Sequence, residues 1–153
     1  MKVSAGILPY RRRDGAVEVL LIHPGGPFWT RKDLGAWSIA KGMVEEGEAL
    51  EAAARRELTE ETGFVAAAPL LPLPPRRQPS GKTIHVWAVE ANFDPAALKS
   101  VTFTVELPKG SGRQVEFPEA DRAAWFPIAE ARRRILAGQV PFLDDLEQRL
   151  SVG

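Results

Sequence analysis

The sequence predicts an α/β/α sandwich: one mixed β-sheet with helices on both faces, formed by a single domain over residues 1–153. Three observations predict it. Short alternating or apolar segments with strand character flank one strongly helical segment at residues 49–62, and two further helical segments close the chain after residue 128. A chain of 153 residues with 44% hydrophobic and 26% charged side chains is long and apolar enough for one packed core. No internal repeat and no linker-like stretch divides it.

Val3 to Tyr10 reads as the first strand, and Val17 to Ile22 as its return. Between them Asp14-Gly15 is a strong hairpin signal, with Arg11-Arg12-Arg13 expected to be a solvated part of the turn. Residues 23 to 36, rich in Gly and Pro, read as a long loop, a class that often carries function. Trp37 to Ala40 is expected to form a short strand and Lys41 to Gly47 a second loop. Ala49 to Thr62 is the clearest helix, ended by Gly63 at a position that favours left-handed backbone. Phe64 to Leu73 looks extended, and prolines between Pro69 and Pro79 forbid helix there. Thr83–Ala91 and Val101–Leu107 alternate as strands, while Ile128–Leu136 and Pro141–Leu150 read as helices.

The totals exclude several classes of function. Twenty basic and twenty acidic residues cancel, which disfavours nucleic acid as a main partner and gives no pull toward an anionic membrane. With no cysteine there is no disulfide, thiolate metal site or thiol nucleophile. The amino terminus shows no signal-peptide core, and no apolar run approaches the ~20 residues that span a bilayer. A soluble cytoplasmic protein is the expectation.

On a helical wheel, Leu50, Ala53, Ala54 and Leu58 form an apolar stripe, and Glu57 and Glu61 project into it one turn apart. Glu60 lies at its edge with Arg56 just beyond. Inward carboxylates are costly unless a cation or hydrogen bonds compensate them, and three of them exceed what Arg56 alone can neutralise. A hard divalent cation such as Mg²⁺, which prefers oxygen ligands, resolves the conflict. An amphipathic helix whose glutamates merely reach solvent is the alternative.

The spacing decides between the two. Gly42, Glu48, Arg56, Glu57, Leu58, Glu60, Glu61, Gly63 and Phe64 fit G-x5-E-x7-R-E-U-x-E-E-x-G-U, with U apolar. Seven fixed positions at roughly 7% each would match by chance in about one such chain per million. The segment resembles the Nudix box at every defined position. That resemblance implies Mg²⁺-dependent hydrolysis of a phosphoanhydride in a nucleoside diphosphate linked to another group, with Mn²⁺ as a possible substitute. It implies Glu57, Glu60 and Glu61 as metal ligands, joined by the Gly42 region of the loop. It implies an Arg56–Glu48 pair that orients Glu57, and Glu57 as first candidate for the general base. In some members the base is a glutamate from a distant loop.

Glu119, ahead of Trp125-Phe126, resembles such a distant acid, with Glu116 and Asp121 as competitors. Trp37-Ser38-Ile39-Ala40-Lys41-Gly42 is similar to the Trp-x-x-Pro-Lys-Gly entry of the diadenosine tetraphosphate hydrolase branch, except that Ala40 replaces the proline. Lys41 could then pair with a phosphate. Among Phe28, Trp29, Trp37 and Trp87, Trp29 is the expected base-stacking residue because its loop is polar. His23 and His85 show no ligand spacing, and Pro72 to Arg77, a PxxPxR pattern, is expected to be a rigid connection rather than an adaptor motif. The leading substrate is a nucleoside triphosphate or dinucleoside polyphosphate, followed by ADP-ribose or a nucleotide sugar, then the 5′ end of RNA. A nucleotide-sensing module without hydrolysis is the non-enzymatic alternative, and a homodimer is possible from the family.

Overall fold

A computed structural model describes residues 2–152. Its main sheet has seven strands: β1 (Val3–Arg13), β2 (Ala16–Pro24), β3 (Ala40–Met43), β4 (Leu71–Pro72), β5 (Arg76–Arg77), β6 (Thr83–Glu90) and, in this sheet, Ala120–Pro127 near the end. The helix α1 (Leu50–Thr62) lies between β3 and β4. The strands β7 (Thr102–Glu106) and β8 (Gln114–Pro118) form a separate hairpin, so Ala120–Pro127 is β9. The helices α2 (Ile128–Arg134) and α3 (Val140–Val152) follow.

The sheet order is β4-β6-β1-β2-β9, with β3 also on β1 and β5 also on β6. Only β1 and β6 run parallel; the other pairs are antiparallel. The β1–β2 hairpin closes on Asp14 and Gly15, both at positive φ, as a two-residue turn that continues strand twist requires. The two strands pair only from Tyr10 to Arg13 on β1, and the first half of β1 instead takes β3, with Gly6 opposite Lys41 and Ala5 opposite Gly42.

Period-two alternation assigns the faces. Ala5 and Ile7 of β1, with Leu20 and Ile22 of β2, pack under Ala53, Ala54 and Leu58 of α1. Leu8, Tyr10, Val19 and Leu21 point the other way, onto Ile128, Phe142, Leu143 and Leu146 of α2 and α3. The expected sandwich is therefore found.

Several boundaries need correction. Lys41 and Gly42 belong to a strand rather than a loop, because Gly6 leaves space for the β3 backbone beside β1. Trp37 and Ser38 make only isolated bridges, to Ile135 and Ile22. The arginine triplet extends β1 and is not part of the turn. Within Phe64–Leu73 only Leu71 and Pro72 pair as strand, and Val101–Leu107 shortens to β7, outside the main sheet. α2 stops at Arg134, since Ile135 turns extended to pair with Trp37. β8 and the full length of β9 were not foreseen; the charged, alanine-rich run Ala120–Ala124 hides an edge strand whose partner, β2, is about 100 residues earlier.

Candidate active site

The site begins where α1 faces β3. Glu57 is 8% exposed although it is an acid on a packed face. A Cβ at position 42 would collide with the Glu57 carboxylate, so only glycine permits this approach of strand to side chain. Gly63 ends the helix at φ 79 and donates its N–H to the Thr59 carbonyl.

Arg56 organises one side of the cluster. Its Nε and Nη2 donate to the two carboxylate oxygens of Glu48 at 2.8 and 3.0 Å, a two-pronged pair. Nη1 donates to Glu57 Oε1 at 2.9 Å and Glu60 Oε2 at 3.1 Å, and Nη2 also reaches the Met43 carbonyl at 3.1 Å. One guanidinium thus ties the end of β3, the loop before α1 and two helix carboxylates together. The Arg56 hydrogen bonds, aided by the Glu45 backbone N–H, pull the Glu48 carboxyl down to about 2, and the same pair raises Arg56 further above its usual value.

Glu61 lies beyond the reach of that arginine. Its Oε1 accepts from the Lys41 backbone N–H at 3.3 Å. Burial, then the negative charges of Glu57 and Glu119, push its carboxyl up to about 8. Burial likewise raises Glu57 and Glu119, with Glu60 adding to both. Four carboxylates therefore share one electrostatic field, and Glu57, Glu61 and Glu119 are each harder to ionise because of their acidic neighbours. Among the described residues no three already close into a metal cage. Arg56 draws Glu57 Oε1 and Glu60 aside, while among the described residues no arginine pairs with Glu61 or Glu119. The donor set is all hard oxygen, which fits Mg²⁺ or Mn²⁺, with Glu57, Glu60, Glu61, Glu119 and the Gly42 backbone available to hold it.

Glu119 reaches the cluster from the opposite wall. It sits between β8 and β9, where its N–H donates to the Val101 carbonyl and its carbonyl accepts from Gly25, both at 2.9 Å. Val101 in turn donates to the Glu60 carbonyl, and Lys99 to Thr62, both at 2.8 Å. The hairpin base is thus pinned to the last carbonyls of α1, which satisfies groups that a helix end leaves open. Its two competitors are elsewhere: Glu116 faces Thr104 across the hairpin, and Asp121 binds His23.

Lys41 is half-buried. Burial first, then the charge of Lys82, lowers its amine, while Glu61 and Glu57 act against this. Trp29 is partly exposed, its ring covered by the Lys32 ammonium at 5.1 Å. Phe28 is exposed and Trp87 half-buried, whereas Trp37 is core, donating its ring N–H to Asp33 at 2.8 Å. The proline-rich segment is structural: Leu73 is buried and Arg76 donates to Asp145 at 2.9 Å. His85 lies near Trp87, ring to ring.

One positioning group had no sequence signal. His23 is fully buried between Asp121, 2.9 Å from Nδ1, and the Lys32 carbonyl, 2.6 Å from Nε2. It fastens the long loop after β2 to the start of β9, next to Glu119. Its partners lie 98 and 9 residues away, so no local spacing reveals it.

Comparison with known proteins agrees with this arrangement. A 55-residue segment is 52% identical to an RNA pyrophosphohydrolase of Caulobacter vibrioides, covering 33% of this chain. The match extends over 32% of that protein, so the chain spans only about a third of the curated relatives it matches. In fold, the chain is similar to a C. elegans Ap4A hydrolase in a binary complex, at TM-score 0.68 and 20% identity over 98% of this chain and 99% of that one. It is also similar to the NUDIX domain of Shewanella oneidensis NrtR complexed with ADP ribose, at TM-score 0.62 and 18% identity, covering 97% and 87%. The NUDIX domain family model matches residues 1–146. With Glu57 packed against Gly42 and the sandwich around the helix that carries it, the chain belongs to the NUDIX domain family.

Proposed function

We propose that this protein is a Mg²⁺-dependent hydrolase of a nucleoside triphosphate or dinucleoside polyphosphate. The observation that carries the proposal is the convergence of Glu60 with Glu57, Glu61 and Glu119, whose burial and mutual charge disfavour ionisation of the latter three without a cation. A bound divalent cation neutralises phosphate charge and makes water more acidic. Around it, Glu61 and Glu60 supply carboxylate oxygens. Arg56 fixes Glu57 by Oε1, which orients the carboxylate to take the proton of the attacking water. Glu119, on the far wall and exposed, is the second candidate for that proton. Lys41, tethered beside Glu61, is poised to pair with a phosphate oxygen. Trp29 is the proposed stacking face for a base.

The similarity to an Ap4A hydrolase fold and to a segment of an RNA pyrophosphohydrolase favours substrates with more than two phosphates. The test is a panel containing nucleoside triphosphates, a dinucleoside tetraphosphate, ADP-ribose, a nucleotide sugar and a 5′-triphosphorylated RNA. Incubation with Mg²⁺ and chromatography of the products should show turnover greatest on the first two classes, restored by Mn²⁺ and abolished by a chelator. Turnover confined to ADP-ribose or the nucleotide sugar would reject the substrate class. Binding without cleavage across the panel would reject the enzymatic reading.

A further inference from the structure

The hairpin β7–β8 stands outside the main sheet, and its register sorts its side chains onto two faces. Phe103 lies opposite Phe117 and Val105 opposite Val115, and beyond them the Leu107 N–H donates to the Arg113 carbonyl at 2.9 Å. At the base of the hairpin the Glu119 N–H donates to the Val101 carbonyl, also at 2.9 Å, so Val101 and Glu119 continue the same ladder. Period two then puts Val101, Phe103 and Val105 on one face together with Val115, Phe117 and Glu119. Thr102, Thr104, Gln114 and Glu116 occupy the other face and are exposed.

The first face is apolar, but not to build the core. Phe103, Val105, Val115 and Phe117 are half-buried and pack into neither core cluster, and Val101 is 45% exposed. The two rings sit 6.2 Å apart and are tilted by 37°. The loop after β2 meets only a rim: a Cβ on Gly26 would come within 2.9 Å of Phe103 Cζ, and glycine at φ 98 permits that approach. Ring surface therefore remains open to a flat apolar partner.

This face leads straight to the carboxylates. The Val101 N–H donates to the Glu60 carbonyl at 2.8 Å, which docks the hairpin base on the half of α1 that carries Glu57, Glu60 and Glu61. Glu119 shares the face of Phe117, two residues away, and its charge acts on Glu61. Two residues of strand cover roughly 7 Å, and the step across to Phe103 adds roughly 5 Å. A nucleotide spans distances of this order between its base and its phosphates. From Glu119 to the hairpin tip at Arg113, the face carries no side chain able to hydrogen-bond.

We infer that Phe103 and Phe117 form the wall on which the nucleobase of the substrate stacks while its phosphates lie at the carboxylates. The inference rests on the hydrolase reading for the place of the phosphates, and it deepens that reading by assigning how the base is held. A wall of rings and methyl groups grips the face of a base and leaves its edge unread, so one purine binds as well as another. Trp29 lies three residues beyond Gly26, on the loop that touches Phe103, and its proposed stacking role concerns the same end of the cleft.

The test compares the native protein with Phe103→Leu/Phe117→Leu, which keeps the face apolar but removes the rings, and with Thr104→Ala/Glu116→Ala on the opposite face. Calorimetric titrations with Mg²⁺ use analogues of ATP and GTP whose bridging anhydride oxygens are replaced by methylene groups, and inorganic tripolyphosphate as a probe without a base. The leucine variant should bind both analogues about tenfold more weakly, as expected for lost base stacking, and tripolyphosphate as the native protein does. The opposite-face variant should match the native protein on all three probes, and the native protein should bind the two analogues within about threefold of each other. Should the leucine variant fail to fold, Phe117→Leu alone reads the same difference. Unchanged analogue affinity in the leucine variant, an equal loss for tripolyphosphate, or a tenfold preference for one purine would overturn the inference. So would a native dimer that the leucine variant breaks without any change in analogue affinity, because the face would then belong to a second copy. Should the native protein cleave no nucleotide and still show the ring-dependent difference, the wall stands and the hydrolase reading alone fails.

Discussion

Replacing Glu57 with glutamine is expected to lower kcat by about 10²–10⁴-fold, the range lost when a positioned proton acceptor is removed. Glutamine keeps the volume under Gly42, where any group at position 42 larger than hydrogen would strike it, and still offers Arg56 an oxygen. What disappears is the negative charge, and with it both a proposed metal ligand and the proposed base. The circular dichroism spectrum should be unchanged, since Ala53, Ala54 and Leu58 hold the helix to the sheet. Steady-state assays with saturating Mg²⁺ on the best substrate of the panel provide the check. A loss under threefold would remove Glu57 from the chemistry, and a comparable loss in Glu119→Gln alone would transfer the base to the far wall.

Glu61→Gln should behave in an opposite way toward stability and toward metal. The folded-state carboxyl stands at about 8, above its ordinary 4.5, because of burial and of Glu57 and Glu119. Between those values the native protein retains a proton that the unfolded chain has lost. Its stability therefore falls as pH rises through that window and is lowest above about 8. The metal-free variant, which cannot ionise there, should melt higher than the native protein at pH 8 and nearly the same at pH 5. On the proposed metal role, added Mg²⁺ is expected to bind the ionised form, so its stabilising effect on the native protein should grow with pH. At a concentration about 100 times Kd the gain is about 2.7 kcal/mol, or several degrees in Tm for a domain of this size. In the variant most of that gain should vanish, together with turnover. Differential scanning fluorimetry at pH 5, 6.5 and 8, with and without Mg²⁺, reads all of this. A metal-free variant that melts lower at pH 8 would contradict the strained-carboxylate account.

The box was legible because its demands are local. Gly42, Glu48, Arg56, Glu57, Glu60, Glu61 and Gly63 belong to one strand, one loop and one helix, and helical spacing alone puts Glu57 on the packed face. The strands β1, β2 and β6 were equally legible, since apolar runs bounded by turn residues need no distant information. β3 was misjudged because its pairing depends on Gly6, more than 30 residues away, and not on its own composition. β8 and β9 were hidden for the same reason, their sequences being charged and half-exposed. The role of His23 emerges only when register brings remote segments together. Glu119 stood between these cases: the sequence offered three acids, and the hairpin base chose the one whose charge reaches the helix carboxylates.

The most direct measurement is anomalous diffraction from crystals grown with Mn²⁺ and a non-hydrolysable nucleotide. The account predicts a manganese peak at bonding distance from Glu57 and Glu61 carboxylate oxygens, in the range of roughly 2.0–2.2 Å expected for small hard cations. A nucleotide bound with its phosphates away from these side chains, and manganese absent from them, would contradict it.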